Sequence, residues 1–152
     1  MHFKHAWTVI SQVGIIIALV ACNTSVSADK TACPDSAQQY WKKFRSVVLQ
    51  NNVNGVADLT QFPFVMSSGI VDEDRRNNSI QRAEFVKQYL HLLTRDPGLG
   101  LEPSTMWNLI KSNEHLTASS CEADGGQFRV GDWVFQYKSQ NWRFVQAYVG
   151  ED

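Results

Sequence analysis

Four side chains in this sequence have the chemistry that acid–base catalysis requires: Asp58, His91, Asp132 and Tyr148. A carboxylate base works with a tyrosine or histidine only where a shared pocket adjusts their pKa values. His91 falls on the polar side of an amphipathic segment, Asp58 lies in a short amphipathic turn, and Asp132 follows Gly131. Each is therefore predicted to be a surface or hydrogen-bonding residue. We assign no catalytic residue and expect the chain not to be an enzyme.

Three cysteines, Cys22, Cys33 and Cys121, are the other reactive groups. Cys22 ends an apolar run whose densest part, residues 13–21, is about half the length that spans a bilayer. Lys4 precedes the run and small polar residues follow it, which is typical of a secretory signal. Cys33 and Cys121 remain as an even pair in an oxidising compartment, so we predict a disulfide between them. Two free thiols are the alternative; ligand spacing for a metal is missing near either cysteine.

The apolar run ends in LVAC, residues 19–22, which resembles the lipobox of bacterial lipoproteins. In that family the chain is cut before the cysteine, which then carries acyl chains such as palmitate. The resemblance implies that residues 1–21 are a signal peptide and that Cys22 is the lipidation site. Cleavage after Ala28, giving a soluble secreted protein, is the alternative. Asn23 is not the aspartate that resembles an inner-membrane retention signal, which favours the outer membrane, facing the periplasm.

The remaining chain is predicted to be a polar tether, residues 22–34, followed by a single domain, residues 35–152. Without Lys4, thirteen basic and fifteen acidic residues remain, a net charge near −2. We expect no nucleic-acid partner, because the sequence has no basic stripe. We also expect no cofactor and no metal ion.

The domain is predicted to contain two long amphipathic helices. The first, DSAQQYWKKFRSVVLQNN, repeats apolar residues at helical spacing, and Asp35 with Gln38 is predicted to form a capping box. Its basic residues, including Arg45, are predicted to face away from the core. The second helix, residues 80–94, has apolar residues around most of its circumference and is predicted to be largely buried. A short third helix is predicted to begin after Ser104.

Strand patterns surround the second helix. The alternation of residues 62–66 predicts a strand with Pro63 at its start or on a sheet edge, and residues 72–79 are predicted to be a solvated loop. Residues 116–123 are predicted to be a strand. The aromatic segment after them is predicted to be a hairpin turning at residues 139–141, with a bulge at Gly131 that aligns Phe128 with Trp133. Tyr148 is predicted to share a face with the last aromatic residues.

Helices followed by an antiparallel sheet predict an α+β fold. This order, and the closing segment GDWVFQYKSQNWRFVQAYV, resembles the cone-shaped cystatin-like fold of nuclear transport factor two and its bacterial relatives, over most of residues 35–150. In that fold a long helix packs into a curved sheet, and the closing strands carry aromatic side chains into a pocket. The resemblance implies a pocket lined by Trp41, Phe44, Trp133, Phe135, Trp142 and Phe144. The alternative is that these rings only fill the core; Trp142 or Trp133 is expected to tolerate truncation best.

Together these features predict a membrane-anchored, non-catalytic lipoprotein that binds a small ligand or a protein partner. Five tryptophans, four of them after residue 21, supply the rigid aromatic surface that binding sites use. An immunity lipoprotein that neutralises a toxin from a competing cell is the alternative, resting on size, anchor and missing catalytic groups. A small enzyme of the same fold is the least favoured reading.

Overall fold

A computed structural model describes residues 33–68, 76–98 and 105–149. The predicted lipidation site, Cys22, and the tether as far as residue 32 lie outside the described residues. The helices are α1 (Asp35–Leu49), α2 (Val53–Asp58), α3 (Arg82–Thr94) and α4 (Met106–Ser112). The strands are β1 (Thr60–Ser68), β2 (Arg76–Ile80), β3 (Gln127–Val130), β4 (Trp133–Lys138) and β5 (Asn141–Tyr148). The fold is α+β, as predicted, and no helix in the described ranges is long and apolar enough to cross a membrane.

The five strands form one sheet in the order β2-β1-β5-β4-β3. Strands β1 and β5 run parallel, and the other neighbours are antiparallel. The sheet is therefore mixed, not wholly antiparallel as the sequence predicted. A parallel pair needs a long connection, and here α3, α4 and the three strands β2, β3 and β4 separate β1 from β5 in the chain.

Helix α1 buries one stripe of side chains, as its periodicity predicts: Ala37, Trp41, Phe44 and Val48. The predicted capping box is wrong, because Pro34 precedes the helix and no side chain caps it. Instead, the Gln38 amide Nε2 donates to the Leu116 carbonyl at 2.7 Å and its Oε1 accepts from the Leu116 N–H at 3.0 Å. Leu116 lies outside any helix or strand, so its buried backbone needs this side-chain partner.

The carbonyl end of α4 is closed by side chains of α1. Arg45 donates from Nε to the Ile110 carbonyl at 3.0 Å and from Nη2 to the Lys111 carbonyl at 2.7 Å. Trp41 Nε1 donates to the Asn113 carbonyl at 3.0 Å. The last carbonyls of a helix have no partner within the helix, and a cation there is favoured. Arg45 thus fixes α4 on α1, which corrects its prediction as a solvent-facing residue.

The region from β2 to α4 differs most from its predictions. Residues 76–79 were predicted to be part of a solvated loop but pair with β1, and Ile80 was predicted to be helical but ends β2. The rest of that predicted loop, residues 72–75, and the predicted cap Ser104 lie outside the described residues. Helix α3 is not largely buried, since Leu90 is 64% exposed. The helix lies on the core with one face only, and its buried residues are Phe85, Tyr89, Leu92 and Leu93. Thr105, whose side chain accepts from the Asn108 N–H, caps α4.

Pro63 lies inside β1, a strand with neighbours on both sides, so its predicted place at a strand start or edge is wrong. The break in register between β1 and β5 spans Thr60 to Val65, and pairing with β2 begins only at Phe64. Proline donates no backbone hydrogen bond. It is accommodated here because the ladder is interrupted where that bond would be needed.

Two further strand predictions are wrong. Residues 116–123 form a short 3₁₀ turn (Ala118–Ser120) and a single bridge between Cys121 and Phe128, not a strand. Gly131 is not a bulge but part of a two-residue hairpin turn, with a positive φ of 54° and with Val130 paired to Trp133. The close approach of the Pro97 carbonyl, 2.7 Å from where a Cβ would lie, also requires glycine there.

A bulge does occur, in β5. Phe144 pairs with Phe135 and Gln146 with Val134, so Val145 is the extra residue. Beyond it the side-chain alternation reverses, and Ala147 pairs with Trp133 on the buried face. Tyr148 therefore lies on the opposite face from Phe144, not on the same face as predicted.

Candidate functional site

The six aromatic residues predicted to line a pocket all come together in the core. Their exposed fractions range from 0 to 5%. Phe44 lies at the centre of the group, with ring centroids 5.0 Å from Phe135, 5.4 Å from Phe144 and 6.0 Å from Trp133. Each of these three rings packs edge to face on Phe44, an arrangement that stabilises a core. Trp142 is the member of the six that also borders a surface groove.

That groove, called here the α1 groove, has a volume of about 730 Å³. It lies between α1, the end of α2 and the β4–β5 hairpin. Its walls include Gln39, Tyr40 and Lys43 from α1, Tyr137, Asn141 and Trp142 from the hairpin, and Asp58 and Arg143 at one end. Sites for ligands and for partner segments are concave and combine aromatic rings with a few polar groups, and the α1 groove has this composition.

The hairpin turn positions the two rings on the groove wall. Ser139 and Gln140 both have positive φ, 48° and 63°, which is the backbone of a type I′ turn. The turn pairs Tyr137 with Trp142, and their ring centroids lie 5.5 Å apart. Trp142 Nε1 donates to Ser36 Oγ at 3.1 Å, which ties the hairpin to the first turn of α1. Trp142 is 5% exposed and Tyr137 is 49% exposed, so the tyrosine ring is the one that a partner can contact.

The groove carries positive charge. Asp58 Oδ1 lies 2.7 Å from Arg82 Nη2, so its carboxylate is already paired. Arg143 Nη1 donates to the Asp58 backbone carbonyl at 3.0 Å, which fixes the guanidinium without neutralising it. Within the described ranges, neither Arg143 nor Lys43 has a carboxylate at ion-pair distance.

Tyr40 lies beneath these charges and stays neutral. Its hydroxyl donates to the Leu59 carbonyl at 2.7 Å, and burial raises the pKa of the phenol far above its usual value. Its ring packs against Phe44 and Phe135. Tyr40 therefore joins the groove to the core, and its hydroxyl is not available as a proton donor to a substrate.

The structure places the four acid–base candidates on separate structural features. Asp58 is in the ion pair described above, and His91 is exposed on α3 with Nε2 2.8 Å from Arg95 Nη1. The Tyr148 ring packs under the Arg129 guanidinium at 4.8 Å. Asp132 is half-buried in the β3–β4 turn, and burial raises the pKa of its carboxyl.

Of these four, the structure brings together only Asp132 and Tyr148, through a hydrogen bond of 2.9 Å from the Tyr148 N–H to the Asp132 carbonyl. Both atoms belong to the backbone, so the contact belongs to the sheet. The part of the chain that the structure describes also holds no group of three or more His, Cys, Asp or Glu side chains that could bind a metal ion.

The sequence did not single out Tyr137, Lys43 or Arg143. Alternation assigned Tyr137 to the same face as Trp133 and Phe135, but it lies next to the turn, where the strand extends past the core. A position beside a predicted turn was the available signal. Lys43 looked like any residue on a solvated helix face, because only the folded hairpin places it opposite an aromatic ring.

Comparisons with protein-family models, with curated proteins and with solved structures give no match to this chain.

Proposed function

We propose that the protein is a lipid-anchored protein of the cell envelope that binds a partner through the α1 groove and does no chemistry. The observation that carries the binding role is Tyr137, a half-exposed ring that lies beside the buried Trp142 at a concave, charged surface. Tyrosine, tryptophan and arginine dominate binding energy at protein interfaces, and all three types meet here.

The anchor is supported by the LVAC sequence at residues 19–22, after an apolar run too short to span a bilayer. Two or more acyl chains on Cys22 would hold the protein stably on a membrane. The predicted tether, residues 22–34, is short enough to keep the domain within about 20 Å of the anchor. Ser36 lines the α1 groove, so the groove lies on the side of the domain where the tether enters.

We further propose that the domain is a cone of the cystatin-like type. Helix α1 packs its Trp41 and Phe44 against the aromatic face of β4 and β5, as the long helix of that fold does. The bulge at Val145 supports the proposal, because a bulge bends its strand and increases the local twist.

Photo-crosslinking in cells tests the binding role. With p-benzoylphenylalanine in place of Tyr137, ultraviolet light is expected to give one adduct of defined size, because the ring would point into the occupied groove. The matched control places the same residue at Lys87, which is exposed on α3 and does not line the groove. No adduct from position 137, or the same adducts from both positions, would contradict a binding role for the groove.

A further inference from the structure

The α1 groove continues along the exposed face of its helix. A second depression, of about 430 Å³, is lined by Gln39, Lys42, Lys43, Ser46 and Val47. Three of these residues, Gln39, Lys43 and Val47, also line the α1 groove. The two depressions therefore adjoin along α1. Their lining residues on this helix run from Ser36 to Val47, which is about 16 Å at 1.5 Å per residue and matches an extended segment of about five residues.

This path has an excess of positive charge. Lys42, Lys43 and Arg143 line it, and in the described ranges none of them has a carboxylate at ion-pair distance. Its one acidic residue, Asp58, is paired with Arg82. The whole chain has a net charge of −1, so three unpaired cations along one path stand out from the average surface.

We propose that the occupant is an extended acidic segment of a partner protein; the proposal rests on the α1 groove being the binding site. Carboxylates of such a segment would pair with the three cations, and complementary potentials of this kind set specificity and association rate. Tyr137 would contact an apolar or aromatic side chain between the carboxylates. The Gln39 side chain, which is exposed, supplies an amide for hydrogen bonds to the extended backbone.

The shape of the site favours a chain over a bilayer surface. Lys43 and Arg143 line a recess between a helix and a hairpin, where an extended chain can reach both. A bilayer is broad and flat, so its headgroups would meet the rims of the recess before its floor. Binding of anionic lipid in the groove would therefore overturn the proposal.

The test uses the full-length, lipidated protein in phosphatidylcholine nanodiscs and a fluorescein-labelled peptide of alternating glutamate and tyrosine. Fluorescence polarisation is expected to show binding that weakens with added salt.

Lys43→Glu and Arg143→Glu should each weaken binding about tenfold, since each replaces an attraction with a repulsion. Lys111→Glu, the same charge change on exposed α4 outside both depressions, should leave binding unchanged. Thermal melting of each variant separates lost binding from lost folding, and Lys43 has an exposed side chain whose replacement removes no core contact.

Three results would overturn the acidic occupant. The first is equal peptide binding by wild type and by the folded Lys43→Glu variant. The second is loss of peptide binding when phosphatidylglycerol is added to the nanodiscs, which would place lipid headgroups in the groove. The third is binding of the matched lysine–tyrosine peptide in preference to the glutamate one. If any of these occurs while position 137 still crosslinks, the groove binds a partner but the partner segment is not acidic. If the crosslink also fails, the proposed binding function is wrong as well.

Discussion

Replacing Cys121 with serine is expected to lower the free energy of unfolding by roughly 4–5 kcal/mol. The structure places the sulfur atoms of Cys33 and Cys121 2.07 Å apart, and the bond joins residues separated by 88 positions in the chain. A cross-link over so long a loop removes much conformational entropy from the unfolded chain. Total stabilities of single domains are about 5–15 kcal/mol, so the protein without this bond is expected to be close to unfolding.

Denaturant unfolding under non-reducing conditions measures this effect. Cys33→Ser should cause the same loss as Cys121→Ser, and the double variant should lose nothing further, because one bond accounts for both residues. Wild type in dithiothreitol should approach the variants. Alkylation of both thiols in freshly purified, non-reduced protein, or a loss below about 1 kcal/mol, would contradict the predicted bond.

Truncating Phe44 to alanine is the second large effect, with an expected cost of about 3–5 kcal/mol. Phe44 is fully buried and contacts the rings of Trp41, Trp133, Phe135 and Phe144. A cavity at that point would remove contacts from helix and sheet together. The melting temperature is expected to fall by about 10–20 °C.

Tyr137→Ala is the matched control, because it removes a ring that is half-exposed. Its expected cost is below about 1 kcal/mol, since it loses the cross-strand contact with Trp142 and little else. Trp133 is 1% exposed and contacts Phe44, so Trp133→Ala is expected to behave like Phe44→Ala. This replaces the expectation from the sequence that Trp133 is among the residues that tolerate truncation best. If Phe44→Ala instead melts near wild type, its ring faces open space and the domain contains the internal pocket that the sequence implied.

The sequence predicted the features that depend on apolar periodicity. Helix α1 begins at the predicted residue, Asp35, and buries the predicted stripe, although it ends at Leu49, three residues before the end of the predicted segment. The aromatic rings meet in one cluster, because burial of large apolar surface dominates folding. The pairing of Cys33 with Cys121 follows once Cys22 is assigned to lipid. These features can be predicted from the pattern of residues within single segments of the chain.

Features that depend on pairing across the fold could not be predicted in this way. The β2 strand has four exposed polar residues of five, so only its hydrogen bonds to β1 reveal it. Gln38 forms hydrogen bonds with the backbone of Leu116, which lies 78 positions away, although its local sequence resembles half of a capping box. The α1 groove depends on a hairpin that places Tyr137 opposite Lys43, and neither residue signals a site by itself.

Mass spectrometry of the mature N-terminus tests the central claim, that a lipid anchors this binding domain to a membrane. The expected N-terminal peptide begins at Cys22 and carries acyl chains, and Cys22→Ser should leave the protein uncut or soluble. The wild-type protein, in contrast, is expected to partition into detergent. A free, unmodified N-terminus at Asp29 would instead show cleavage after Ala28 and a soluble secreted protein, and would contradict the anchored account.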